Sequence, residues 1–401
     1  MTRSDAVPRG RTPVRRRELL PALDYPLLFA VAFLLGLGFV MVTSASMPIG
    51  AQAPFHNPLH YVIRHLIACV LALGIGALCF ATSMTTWQRI SPLLLIIGIL
   101  LLVVVLIPGV GHTVNGATRW IRLGPISLQI SELVKVFAML YVAGYLVRRQ
   151  HEVSTQMMGF LPPMLFIGIA CALIMVQPDF GTAAVILATV LGLLFLGGVP
   201  LFHFAVLIGL VGLALVALIV LEPYRLARIT SFMHPFSDPF NSGYQLSQAL
   251  IAFGRGEWFG VGLGNGIQKQ YFLPEAHTDF LLAVIAEELG FLGVLTVIGT
   301  FIYVVVRTFR IGERAYASGA LFSAYVAHGV GLLLGLQAFI SAGVNTGLLP
   351  TKGLTLPFMS YGTNSVIAAT MAIALVLRID YELRSKAVPI RPMRGSRWVR
   401  A

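Results

Sequence analysis

Long apolar runs dominate this chain, separated by short segments that are polar or basic. Leu94 to Val105 reads LLIIGILLLVVV and Ala205 to Val220 reads AVLIGLVGLALVALIV, with no charge in either. With their flanks, such runs approach the roughly 20 apolar residues that cross a bilayer as a helix. Ten segments fit, at about 26–46, 62–82, 90–110, 131–147, 160–177, 182–199, 203–222, 282–306, 318–343 and 363–379. The pattern predicts an all-α polytopic membrane bundle of ten transmembrane helices. Composition agrees: 11% of residues are charged and the mean hydropathy is +0.85, whereas soluble domains carry about 25% charged residues.

An even number of spans places both tails on one side. Most of the 28 Lys and Arg residues lie before the first span, at Arg89, Arg148, Arg149, Arg307, Arg310 and Arg314, or from Arg378 onward. Basic residues are retained on the cytoplasmic side, so both termini are predicted to be cytoplasmic. This divides the chain into a basic tail (1–24), a transmembrane domain (25–385) and a second basic tail (386–401). Three segments fall outside: 111–130, 223–281 and 344–362. The second makes a long periplasmic loop between helices 7 and 8. Loops of this length and mixed polarity are functional or re-entrant. No internal repeat of the secondary-transporter kind stands out. The first apolar run is too long for a cleavable signal and lacks a clear small-residue cleavage site.

The net charge of +12 would suggest nucleic acid in a soluble protein. Here much of it flanks the spans, where it sets topology and favours anionic lipid. No aromatic-rich basic module accompanies it, so no nucleic-acid partner is expected. Cys69, Cys79 and Cys171 lie in apolar runs without metal or disulfide spacing and read as small hydrophobes.

Charges in or beside the membrane are costly and are functional candidates by default. Glu132 and Lys135, spaced i, i+3 at the outer end of the fourth span, share one helical face and can pair. Arg119, Trp120 and Arg122 precede them and complete a cationic shelf with one carboxylate. Interfacial anchoring is the alternative; it suits Arg122 better than Lys135. Asp279 stands where the long loop enters the eighth span, as a helix N-cap or a general base; the two readings stay open at this stage. Glu287 lies roughly 12 Å deeper, near one stripe with Asp279 and Ala283, while Glu288 faces elsewhere, toward another helix. The loop 343–365 carries Lys352 among Gly and Pro residues. It reads as a cavity lining or as a tight connection with Lys352 in water. The GVGLGNG stretch (260–266) looks like a dinucleotide loop but lacks the strand–turn–helix context. His277 has no second ligand at metal spacing and reads as solvated or hydrogen-bonded. Together these groups suit a substrate with a lipid tail and an anionic headgroup: cations for phosphates, a carboxylate for a proton.

The run from Asp238 to Gly290 carries a specific resemblance, supported by NGATRWIRLG (115–124), SELVK (131–135), QPDFGT (177–182) and PTKGLTLPFMSYG (350–362). Over about residues 24–386 the chain resembles the SEDS family of shape, elongation, division and sporulation proteins. MVTSASMP (41–48), FGRGE (253–257), LPEAHTDF (273–280) and LRIDYE (377–382) are similar to its proteobacterial division-type members rather than its elongation type.

The resemblance implies a ten-span fold and a peptidoglycan glycosyltransferase at the division septum. Its substrate would be lipid II, with the growing glycan on undecaprenyl pyrophosphate. It implies that Asp279 is the essential aspartate and that Arg119, Trp120, Glu132 and Lys135 line an outer cavity, with Glu287 and Lys352 as further substrate-binding candidates. Arg119 and Lys135 are then expected to stabilise the leaving phosphates. No cofactor is specified; a divalent cation, Mg or Mn, could assist the pyrophosphate, but no residue cluster prescribes one. The implied partner is a class B penicillin-binding protein of the FtsI type, among other divisome membrane proteins. A lipid II flippase is the rival reading. Clustering of acid and cations at the outer end rather than the midplane favours the enzyme. Two departures from the family pattern stand out: Ile130 where Pro is usual, and Thr363-Asn364-Ser365 where Gly-Ser-Ser is usual. The second alters a loop backbone, since Gly tolerates φ values that Thr does not.

Overall fold

The computed structural model describes residues 23–387, except 53–55, 115, 125, 221–231, 234, 239–240, 242 and 352. Lys352 and the two basic tails therefore lie outside the described residues. Ten helices of 16 or more residues coincide with the ten apolar segments: α1 (Tyr25–Ala51), α2 (His60–Ala81), α3 (Met84–Val105), α4 (Ile130–Arg148), α6 (Leu161–Val176), α7 (Phe180–Leu196), α8 (Leu201–Val220), α10 (Leu281–Ala317), α11 (Leu321–Asn345) and α12 (Thr363–Ala387). Shorter helices among the described residues include α5 (Gln150–Thr155) and α9 (Tyr244–Gly256). Six of them, α1, α2, α3, α4, α10 and α11, are long and apolar enough to cross a membrane by length and composition. The protein is a predominantly helical, polytopic membrane protein.

The starts of several helices are legible in local chemistry. Asp24 caps α1 by accepting from Leu27 N at 3.1 Å, with Pro in the first turn, and Ser83 caps α3; short polar side chains satisfy otherwise orphaned N–H groups there. Burial then sorts the helices. Large side chains on α1, α2, α3 and α10, among them Phe29, Val70, Leu78, Leu100 and Leu295, are exposed. Contiguous apolar surface of this kind is what lipid covers and water does not. By contrast α4 and α12 are buried almost all round. Helix α12 packs against α2, α4, α10 and α11, and Ala368, Ala369, Ala372 and Ala374 let its neighbours approach closely, as small residues do between membrane helices.

The chain is not all-α. Residues 111–129 form an antiparallel meander, β1 (Gly111–Val114), β2 (Ala117–Leu123) and β3 (Ile126–Gln129), in the order β1-β2-β3. Trp120 faces His112 on one side and Gln129 on the other. The signal was present in the sequence: Asn115-Gly116 between extended runs is a strong hairpin dipeptide, and Gly116 and Gly124 both take positive φ. The all-α expectation gave way to cross-strand pairing along these residues.

Helix α10 kinks at Gly290, where φ is 70° and ψ is −169°. The kink breaks the helical ladder, and the glycine-rich loop repairs it. Val261 N and Gly262 N donate to the carbonyls of Glu287 and Glu288, and Phe291 N and Leu292 N donate to those of Glu257 and Trp258, all at 2.9–3.2 Å. The GVGLGNG stretch is therefore part of a backbone splint across the kink.

At the far end of α10 from this kink, Asp24 pairs with Arg307 at 2.9 Å and lies near Arg314 and Arg384, while Asp380 pairs with Arg314 and Arg384 at 2.9 and 2.7 Å. This network ties the start of α1 to the C-terminal ends of α10 and α12, where cations also oppose the helix dipole.

Candidate functional site

At the opposite end, the N-termini of α4, α7, α10 and α12 converge with β2, β3, Thr351, residues 353–355, Tyr361 and Gly362 around a cavity of about 540 Å³. Helix N-termini carry partial positive charge and unsatisfied N–H groups. Four directed at one cavity suit an anionic headgroup.

Asp279 lines this cavity. It is not the cap of α10. That position is Phe280, without a side-chain bond. Asn345 of α11 does the capping: its Oδ1 accepts from Ala283 N at 3.1 Å, and its Nδ2 donates to the Asp279 carbonyl at 2.9 Å. The Asp279 carboxylate is thereby directed elsewhere. It stands against Gly353, where a β-carbon would come within 2.7 Å of Oδ2. The absence of a side chain at 353 is what lets its backbone lie beside the acid.

Arg119 and Trp120, on β2, also line the cavity. Arg119 Nε donates to the Gln177 carbonyl at 2.8 Å and Nη2 to the Pro178 carbonyl at 2.5 Å, fixing the guanidinium against the turn that precedes α7. Glu132 lines the wall as well, and Lys135 lies beneath it, 2% exposed. Lys135 Nζ meets both Glu132 oxygens at 2.8–2.9 Å and Gln337 Oε1 at 3.0 Å. Gln337 in turn donates to the Thr355 carbonyl at 3.1 Å, so α4, α11 and the loop before α12 share one network. Breaking a buried pair by removing one partner costs about 3–5 kcal/mol. Lys135→Met is expected to lower stability by that order, and Lys135→Met with Glu132→Gln to recover much of it, measured as thermal unfolding in detergent.

Glu287 does not line this cavity, despite its expected stripe with Asp279. It is fully buried and held by Ile267 N and Gln268 N at 2.9 and 3.1 Å, with Arg255 Nη1 at 3.3 Å. Glu288, also fully buried, accepts from Ser44 of α1 at 2.8–2.9 Å, from Lys269 at 2.5 Å and from Gly264 N at 3.0 Å; it does reach another helix, as expected. Both carboxylates anchor the glycine-rich loop to α10. The stripe argument failed because Asp279 precedes the helix, so helical spacing does not extend to it.

His277 is not solvated. It is 8% exposed, with its ring 5.0 Å from that of Tyr61 and 5.3 Å from that of Tyr361. Burial lowers its pKa, against a smaller opposing pull from Glu275. Arg122 is exposed on β2 and is absent from the cavity lining.

Two lining carboxylates, Asp179 and Glu275, were missed by sequence reasoning. Asp179 caps α7 through Thr182 N at 3.3 Å and accepts from Gln129 Nε2 and Ser131 Oγ at 3.2 and 3.1 Å. The signal is Asp179 followed three residues later by Thr182, before an apolar run, which is a helix-start pattern. Nothing local indicates that the helix begins at the cavity.

The fold and site define a polytopic helical membrane protein with a charged cavity at the end where four helices begin. The chain belongs to the FtsW/RodA/SpoVE family of cell cycle proteins, whose profile matches residues 25–385. It is 58% identical over 394 residues to the probable peptidoglycan glycosyltransferase FtsW of Allochromatium vinosum, covering 98% of each chain. It is 53% identical to that of Coxiella burnetii, covering 87% of this chain and 94% of the relative. Among solved structures it superposes with a TM-score of 0.72 on a chain from a peptidoglycan synthase complex that coordinates polymerization and crosslinking, at 31% identity over 91% of this chain and 99% of that one. The rod shape determining protein RodA of Thermus thermophilus follows with a TM-score of 0.65, at 29% identity over 90% and 97%.

Proposed function

We propose that this chain is a peptidoglycan glycosyltransferase that polymerises lipid II during cell division. The activity agrees with the names of its FtsW relatives at 50–58% identity. The observation that carries the mechanism is Asp279: a lining carboxylate, relieved of capping by Asn345, in a cavity that also holds Arg119. In this reading the donor is the growing glycan on undecaprenyl pyrophosphate and the acceptor is lipid II. Asp279 takes the proton from the 4-hydroxyl of the acceptor's GlcNAc as that oxygen attacks the donor's anomeric carbon. The carbon–oxygen bond to pyrophosphate breaks with inversion. The departing charge meets Arg119 and the four helix N-termini, with Lys135 acting from beneath through Glu132. Lys352 remains a candidate for the same role from its sequence position alone.

All ten helices cross the inner membrane in this reading, both termini are cytoplasmic, and the cavity opens on the periplasmic side at the septum. The excess of Lys and Arg at the opposite end supports that orientation. A class B penicillin-binding protein of the FtsI type and other divisome membrane proteins are the proposed partners. The relative solved in a synthase complex supports the first. Among the described residues no group of three or more His, Cys, Asp or Glu side chains is placed to hold a metal, and no step is assigned to one.

The test is to supply purified protein and its cognate transpeptidase with labelled lipid II in liposomes. Polymer without flipping is expected. Flipping without polymer would overturn the enzyme in favour of a transporter.

A further inference from the structure

The first turn of α12 brings a buried polar atom without a partner to the cavity wall. Asn364 is 7% exposed and lines the cavity. Its Nδ2 donates to the Ser127 carbonyl on β3 at 2.9 Å, while its Oδ1 is buried without a hydrogen-bond partner among the described residues. The orientation of the amide follows from chemistry rather than from choice. A carbonyl only accepts, so the nitrogen must face Ser127 and the oxygen is left for something else. A buried acceptor is costly until a donor reaches it, and the contents of this cavity are the available source. Pyrophosphate at neutral pH presents acceptor oxygens, which would repel Asn364 Oδ1. An amino sugar presents N–H and O–H donors.

We propose that Asn364 Oδ1 receives a hydrogen bond from the amino sugar of the substrate, through an acetamido N–H or a ring hydroxyl, and so marks the sugar side of the cavity, with Arg119 marking the phosphate side. This rests on the glycosyltransferase reading above. It also gives a role to the residue where the chain departs from the Gly-Ser-Ser pattern of the family it resembles. Neutral hydroxyl side chains share the lining: Ser127, Thr355, Thr363 and Ser365 line the same cavity, and Thr355 Oγ1 and Ser365 Oγ lie 2.7 Å apart. Such groups read sugars by direction rather than charge.

The experiment measures lipid II polymerisation by wild type, Asn364→Ala and Asn364→Ser. Serine stays polar, but its shorter side chain does not carry its hydroxyl oxygen to the position of Oδ1, so it serves if the alanine variant fails to fold. KM for lipid II is expected to rise about 3- to 10-fold, the size of one neutral hydrogen bond, with kcat changed less and the melting temperature close to wild type. A lipid II analogue with an ester in place of the acetamide distinguishes the donors. Loss of the difference between wild type and variants identifies the acetamido N–H; its persistence identifies a hydroxyl. Equal KM values for a wild type and folded variants that all make polymer would overturn this inference alone. A wild type that makes no polymer would overturn the glycosyltransferase reading, and the inference with it.

Discussion

Asp279→Asn is expected to lower lipid II polymerisation by about 10²- to 10⁴-fold, the range that a positioned general base contributes, while the protein stays folded and keeps its partner. Asparagine has nearly the same shape but cannot accept the proton. The folding half of the expectation follows from Asn345, which caps α10 in place of Asp279, so losing the carboxylate does not cost the helix its start. The matching control is Asn345→Ala. It removes the bonds to Ala283 N and to the Asp279 carbonyl and should lower stability by about 1 kcal/mol, as lost caps do. Initial rates with labelled lipid II, alongside melting in detergent, separate the two effects. Polymerisation by Asp279→Asn at the wild-type rate would remove Asp279 from the chemistry.

Gly290→Ala should cost more than about 3 kcal/mol and deplete folded protein from the membrane. Two independent terms add. The backbone at φ 70° and ψ −169° is a conformation that only glycine occupies comfortably, and forcing another residue into it costs about 1–3 kcal/mol. An added β-carbon would also meet Gly260 N, Phe259 N and Trp258 C at 2.4–2.6 Å. These are backbone atoms of the splint that carries the ladder across the kink, so they cannot turn aside as a side chain can. Gly299 supplies the control within the same helix. A β-carbon there meets nothing within 4 Å, and Gly299→Ala should be neutral or stabilising by up to about 1 kcal/mol through helix propensity. Expression level and melting temperature in detergent report both; equal behaviour of the two variants would sink the account of the kink.

Much of the architecture was legible before the structure. The ten apolar runs coincide with ten helices because an apolar run away from water has one economical local way to satisfy its backbone groups, a helix. Glu132 with Lys135 was legible as a pair because both lie within one helix, where i, i+3 spacing sets the geometry. The β-meander was missed although its Asn115-Gly116 turn was there to read, since a strongly apolar chain draws attention to its spans. Asp279 stayed undecided between cap and catalyst. Either role needs a carboxylate at a helix start, and the residue that settles the capping, Asn345, is 66 positions away. The shared stripe of Asp279 and Glu287 failed for a related reason, because the chain is not helical at 279.

By itself the sequence determined where the helices lie, the local charge pairs and the family, all of which depend on composition and short-range spacing. Tertiary structure alone decided which helix ends meet. The N-termini of α4, α7, α10 and α12 come from four distant parts of the chain. No local pattern encodes that their dipoles, Asp179, Asp279, Arg119 and Asn364 converge on one cavity, because that convergence is set by how buried helices pack rather than by how each one forms.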